Sequence, residues 1–511
     1  MYRKVAICCL FLTTSCSIFR SALPPPKEEF RGVWVATVAN IDWPKNAGDS
    51  WPRQQKDFDA LLDFYQSMNF NAIILQIRAA GDAFYPSDKA PWSRYLGGKE
   101  GIPPDTDQDP LKWLIAETHR RGMQFHAWFN PYRATMSRDT TLLSDTHDYF
   151  RHPEWMVAYG NRYYYNPGIP EVREQLKSVI KEVLTRYEVD GIHFDDYFYP
   201  YTISGEAFDD SLQYHKLARP GQSLDHWRRS NVDSQVHDIH TLIRDTKPWV
   251  QFGISPFGVW RNKDRDPAGS DTRAGQTTYD NLNADPLLWM RKGWIDYLVP
   301  QLYWSMDFPA ASHRKLVAWW TANSHGTHLY VGNAAYKLRN NTDKAWTRRQ
   351  ELPRQLKLAR KTKKVQGNVF FSAKSLPMQP DIAILLRKCF YRYPALPPAQ
   401  TTIRRNLPEP PHLLNLQDEM GWYRIVLEDS LPPSWQFALV YRANKLRQLH
   451  PGNPKQLISK QYIAHSSSFT LGKGILKHKN ALALIFLDNY GRESEPIILH
   501  LDQTNPYDPA R

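Results

Sequence analysis

The sequence predicts an α/β protein, a (β/α)8 TIM barrel followed by a C-terminal β-sandwich, and three observations carry that reading. Eight short runs of β-branched and aromatic residues alternate with helix-period segments from residue 30 to about 375. The loops that follow most of these runs are rich in aromatic, acidic and amide residues. Past a proline-rich stretch at residues 394–411 the helical pattern stops and short alternating strands replace it.

The candidate barrel strands are Phe30–Val38, Ala72–Ile77, Gln124–Phe129, Gly191–Asp195, Val250–Ser255, Tyr297–Leu302, Leu329–Val331 and Val369–Ser372. Helical periodicity lies between them, for instance over Gln54–Met68, Asp109–Gly122 and Pro170–Tyr187. Asp109 is a natural N-cap followed by proline at the first helical position, and Gly122 is a natural stop. The alternative, an open doubly wound sheet, more often carries a glycine-rich phosphate loop after its first strand, and this sequence has none.

In a barrel the loops after the strands gather on one face, where active sites lie. The loaded ones are residues 40–44, 78–82, 130–133, 195–201, 256–261 and 303–307. Rings beside carboxylates, amides and arginine are what a sugar site needs, because pyranose faces stack while hydroxyls require directional partners.

Pro394, Pro397, Pro398, Pro408, Pro410 and Pro411 mark a domain edge, which divides the chain into a barrel at 29–395, a linker at 396–411 and a sandwich at 412–511. Trp422–Leu427, Phe437–Tyr441, Ser468–Leu471 and Ala481–Asp488 are its clearest strands. The stretch from Ala481 to Ser494 resembles the last two strands of fibronectin type III domains, which implies a spacing or docking module.

At the N-terminus, Met1-Tyr2-Arg3-Lys4 supplies positive charge and Val5 to Leu12 a short apolar run, the pattern of a signal peptide over residues 1–15. Small residues directly before Cys16 resemble the bacterial lipobox, which makes Cys16 the expected lipidation site and residues 16–28 a stiff tether. The expected location is the bacterial cell envelope, membrane-anchored, on the outer membrane or facing the periplasm. After such cleavage Cys389 is the only other cysteine, so packing rather than a disulfide is expected to stabilise the chain.

At 511 residues the chain exceeds the roughly 250–300 residues of one core. Its 42% hydrophobic and 23% charged residues are globular composition. The net charge of +13 favours anionic partners such as acidic lipid headgroups or an acidic wall polymer. The basic residues are scattered and no aromatic-plus-glycine RNA motif accompanies them, so no nucleic acid is expected.

The densest chemistry runs from Asp190 to Pro200. On a strand, His193, Asp195 and Tyr197 share one face and Phe194, Asp196 and Phe198 the other. With the phenylalanines packed outward, Asp195 points into the barrel mouth; Asp196 joins it only if the strand ends and the chain bends. Glycoside hydrolysis needs one protonated carboxyl and one ionised carboxylate. Asp195 and Asp196 are the catalytic candidates, with Asp82 and Asp307 as competing second acids. Arg78, Asn130, Tyr132, Arg133, His193, Tyr197, Gln301, Tyr303 and Trp304, with Asp82 and Asp307, are the expected substrate-binding set. His126 and His193 lack the usual ligand spacing, and no phosphate loop or cofactor fingerprint appears, so neither metal nor cofactor is expected.

Residues 29–37 and 191–197, together with 76–82, 128–133, 254–258 and 301–304, are similar to the glycosyl-hydrolase-10-like family over roughly residues 29–380. The resemblance implies a secreted or lipid-anchored barrel that cleaves peptidoglycan glycan strands lacking stem peptides. The 190–197 motif is also similar to the D-G-x-D-x-D-x-E run of chitinase-like barrels, with Asp190 and Asp195 on its first and third acids. His193 and Tyr197 stand where that run has Asp and the proton-donating Glu, so its mechanism does not carry over. The alternatives are a lytic transglycosylase, a non-catalytic glycan-binding lipoprotein and a hydrolase of another polysaccharide.

Overall fold

A computed structural model describes residues 24–400, 406–409, 411–427, 434–464, 466–476 and 481–499. The signal-peptide and lipidation expectations, Cys16 included, fall outside these residues.

Eight parallel strands close into a barrel in sequence order. They are β1 (Phe30–Val35), β2 (Ala72–Arg78), β3 (Gln124–Phe129), β4 (Gly191–Phe194), β5 (Gln251–Ile254), β6 (Tyr297–Leu298), β7 (His328–Ala334) and β8 (Val365–Phe371). Each is followed by a helix: α1 (Trp51–Ser67), α2 (Pro110–Arg120), α3 (Pro170–Arg186), α4 (Leu224–Thr246), α5 (Pro286–Lys292), α6 (His313–Ala322), α7 (Glu351–Lys361) and α8 (Pro380–Cys389).

Local chemistry sets the helix ends. The Asp109 side chain accepts from the amides of Leu111 and Lys112, and Gly122 stops α2 at φ 72°. Helix α3 buries Val172, Leu176, Val179, Ile180, Val183 and Leu184, a single apolar stripe facing the strands. Each such side chain contributes about 1.5–3 kcal/mol when fully buried.

The barrel interior is packed, largely with rings, as in Phe30 stacked on Tyr330 at 4.2 Å between centroids. Glycines make room for them. A Cβ at Gly253 would lie 1.9 Å from the Tyr297 ring, and one at Gly191 2.2 Å from His126 Nδ1.

After the barrel come β9 (Leu413–Glu419), β10 (Trp422–Leu427), β11 (Trp435–Ala443), β12 (Leu457–Tyr462), β13 (Ser468–Gly472), β14 (Ala481–Asp488) and β15 (Ile497–Leu499). They form antiparallel sheets of order β9-β10-β13 and β12-β11-β14-β15. Ile425, Trp435, Phe469, Leu484 and Phe486 belong to the core they share.

The sandwich docks on the barrel floor, at the N-terminal ends of the strands. The Tyr462 ring stacks on His119 at 4.4 Å, and the Gln400 side chain donates to the Trp249 carbonyl at 2.7 Å. The part of the expected linker that is described is therefore pinned. Leu396 exchanges backbone hydrogen bonds with Lys27 and Glu29 at 2.9 and 2.8 Å, and Leu396, Pro397 and Pro398 are buried. Cys389 ends α8 and packs, partly buried, against the barrel core. Every other cysteine of the chain lies outside the described residues.

Candidate active site

A cavity of about 380 Å³ opens at the C-terminal ends of the strands. Trp34 of β1, Gln76 of β2 and Trp128 of β3 reach it from inside the barrel, because inward positions at strand ends face the mouth. Arg133, Asp195, Asp196, Tyr197 and Tyr201 line one side, and Ser255, Gln301, Tyr303, Tyr336 and Phe371 the other.

Strand β4 ends at Phe194, whose ring packs against Phe129 and Phe252. Alternation therefore stops before Asp196, the backbone turns, and both acids face the same cavity. Each is 3% exposed.

Asp195 accepts from the Asn130 amide and, at 3.4 Å, from the Tyr197 backbone. The Asn130 oxygen is in turn held by the Gln76 amide, and the Gln76 oxygen accepts from the backbones of Thr37 and Val38 at 3.1 and 2.9 Å. This chain of amides can run only one way, so the Asn130 N–H₂ is fixed toward Asp195. Burial, then the neighbouring Asp196, push the Asp195 carboxyl up to about 8, against the pull of Arg133. Asp196 accepts from the Tyr201 hydroxyl. Burial raises it as well, while Tyr201, Gln301 and Arg133 work in the opposite direction.

Beneath the cavity His193 is fully buried, and burial holds it well below its ordinary range, hence neutral. Its Nε2 accepts from the Trp34 indole at 3.2 Å, which leaves the proton on Nδ1, 3.1 Å from the Tyr297 hydroxyl. His193 thus fixes the indole that lines the cavity. Among the described residues no group of three or more His, Cys, Asp or Glu side chains could hold a metal ion.

The model for glycosyl hydrolase-like 10 matches residues 29–348. The chain belongs to that family. Glycosyl hydrolase YngK of Bacillus subtilis is 44% identical over 82% of this chain and 84% of its own. Glycosyl hydrolase DigH of Escherichia coli K12 is 38% identical over 61% of this chain and 74% of its own. Among solved structures, the PgaB (BpsB) glycoside hydrolase domain from Bordetella bronchiseptica covers 71% of this chain and 99% of its own at 13% identity, with a TM-score of 0.46. As a glycosyl hydrolase-like 10 protein, the chain is a glycoside hydrolase with a polysaccharide substrate.

Of the expected site residues, this glycosyl hydrolase-like 10 barrel brings Asp195, Asp196, Arg133, Tyr197, Gln301 and Tyr303 to the cavity wall. Asn130 and His193 stand behind it as supports. The others are elsewhere. Asp82 turns back to accept from the Ala80 amide at 2.9 Å, and Arg78 donates to the Asp82 carbonyl at 3.3 Å. Tyr132 is buried with its hydroxyl 3.5 Å from the Gln235 oxygen. Asp307 is on the surface, paired with Arg354 at 2.9 Å and Arg314 at 3.3 Å. Trp304 lies over a neighbouring concavity. Asp82 and Asp307 are thus corrected as second acids: a residue just past a strand faces the mouth only if its loop does not turn outward.

Trp34, Gln76, Trp128, Tyr201, Ser255, Tyr336 and Phe371 went unanticipated. A signal for some was available, since Gln76 is a polar residue in the apolar run Ala72–Arg78, and an interior amide in such a run needs a partner.

Proposed function

We propose that this enzyme hydrolyses cell-envelope amino-sugar glycan, most specifically peptidoglycan strands lacking stem peptides, with Asp195 as proton donor and Asp196 as its ionised partner. The observation that carries the reading is the pair itself: two adjacent buried carboxyls in one cavity, of which Asp195 is held protonated at neutral pH. Such a carboxyl can give its proton to a leaving glycosidic oxygen. Asp196, served by Tyr201, Gln301 and Arg133, keeps donors that favour its charge. It is therefore suited to stabilise the sugar cation or activate water. Trp34, Trp128 and Tyr303 supply ring faces for pyranose stacking.

A second carboxylate beside the acid favours hydrolysis over a lytic reaction, which needs only one principal acid. The peptidoglycan assignment draws on the signal-peptide pattern of residues 1–15 and on what the family resemblance of residues 29–380 implies.

Membrane anchoring through Cys16 belongs to the same proposal. The described end of the tether is consistent with this, because Lys27 pairs with Glu493 of the sandwich at 2.6 Å, at the floor end of the molecule. An anchored chain would then turn its cavity away from the membrane.

Incubation of the chain from Pro24 with intact and peptide-stripped peptidoglycan, followed by mass analysis, tests the activity. Free reducing ends from stripped strands are expected. Anhydro-sugar ends would replace hydrolysis by transglycosylation, and no cleavage of either substrate would remove the peptidoglycan assignment. Cys16→Ala should move the protein from the membrane to the soluble fraction, and unchanged association would remove the anchor.

A further inference from the structure

Beside the cleft lies a second concavity of about 480 Å³, and Tyr303 lines both. Trp304 and Phe308, both partly exposed, form its ring surfaces, and Trp346 supports it from within at 1% exposure. Asn341 and Thr342 add exposed hydrogen-bonding groups at its edge.

Two charged residues line this concavity, and they are differently employed. Asp343 is spent on the loop: its Oδ2 accepts from the Ser305 hydroxyl at 2.5 Å and its Oδ1 from the Ala345 amide at 2.9 Å. Lys337 is half-buried, and its Nζ donates to the Tyr303 carbonyl at 2.6 Å. Its Nζ also lies 5.8 Å from the ring centre of Tyr336, which lines the cleft. Among the described residues no carboxylate forms an ion pair with Lys337. An ammonium donates three hydrogen bonds, so two remain for a ligand. Burial lowers its pKa, while the charge of the neighbouring Asp343 works in the opposite direction.

We propose that this concavity is a subsite of the same cleft for a carboxylate-bearing sugar, with Lys337 as counter-charge and Trp304 and Phe308 as stacking rings. The inference rests on the peptidoglycan reading and sharpens it. A muramyl unit without its stem peptide presents a free carboxylate, whereas a peptide converts that group to a neutral amide. Lys337 would therefore read the absence of the peptide through charge, before any question of size arises.

The test uses the full chain and peptide-free glycan strands, compared with the same strands after conversion of their carboxylates to methylamides. The methylamide is too small to act by bulk. Wild type should show kcat/KM at least about tenfold higher on the free acid, as a charge-assisted hydrogen bond predicts. Lys337→Met should bring the two substrates to within about twofold, and Lys337→Arg should keep the preference. Equal wild-type rates on both strands would overturn the subsite while leaving the peptidoglycan reading intact. So would an undiminished preference in Lys337→Met. Cleavage of neither strand by wild type would overturn that reading, and the subsite with it.

Discussion

A buried carboxyl flanks each end of strand β4, and the two are in opposite states. Asp190, at the floor, is 6% exposed, and Asp195, at the rim, is 3% exposed. Burial pushes both upward. At the floor, the charge and hydrogen bond of His119 at 2.7 Å, with the Phe125 amide at 2.7 Å, outweigh burial and hold Asp190 below its ordinary range. At the rim the nearest charge is another acid, and Asp195 stays protonated. Equal burial of the same residue type thus gives a structural anion at one end and a proton store at the other. The donors in reach decide which, and the floor has spent its donors on stability.

The sharpest break of this comparison is Asp190→Asn. Removing one partner of a buried pair leaves His119 uncompensated, and the cost expected is about 3–5 kcal/mol of unfolding free energy, read from denaturant midpoints. A midpoint equal to wild type would mean that the floor carboxylate is not structural. Asp195→Asn should do the reverse. Turnover on glycan should fall at least about 10²-fold, with binding retained and the unfolding midpoint at neutral pH no lower than wild type. Near-normal turnover in that folded variant would remove Asp195 from catalysis.

Smaller effects refine the rim. Gln76→Glu keeps size but, when ionised, has no N–H for the Asn130 oxygen, so the amide that faces Asp195 is freed to turn. A loss of about five- to tenfold in kcat is expected, the worth of one oriented hydrogen bond. Gln76→Leu should match it if positioning is the cause, and full activity in both variants would make the amide chain incidental. The least effect belongs to Asp307→Asn: its side chain is 62% exposed, and such surface pairs contribute at most about 1 kcal/mol. Turnover within about twofold of wild type is expected, and a catalytic-scale loss would restore Asp307 as a second acid.

Acidity should separate the two ends as well. Asp195 has a folded pKa above its ordinary 3.8, so its contribution to stability is complete below that value and is lost as pH rises to about 8. Turnover should fall over the same upper limb as the acid loses its proton. Asp190 has a folded pKa below 3.8, so its contribution is present above that value and is lost as pH falls through the folded pKa. The fall of stability between pH 3.8 and about 8 should therefore flatten in Asp195→Asn, and the acid limb below it in Asp190→Asn.

Sequence alone determined the barrel, its eight strands within a few residues, the helix start at Asp109 and the change to β-structure past the prolines, because periodicity and capping are local properties. It also placed Asp195 at the mouth, by alternation along β4. What it could not decide was everything set through space. Asp196 faces the cavity because β4 stops one residue before Asp195, and Asp82 and Asp307 leave it because their loops turn them to a backbone amide and to surface arginines. Asp190 matches the first acid of a catalytic motif in sequence, yet its partner is His119, 71 positions earlier in the chain. The amide chain from Gln76 through Asn130 joins two strands distant in sequence but adjacent in the closed barrel. Proton affinity follows from such partners and from desolvation, and both exist only once the tertiary structure has formed.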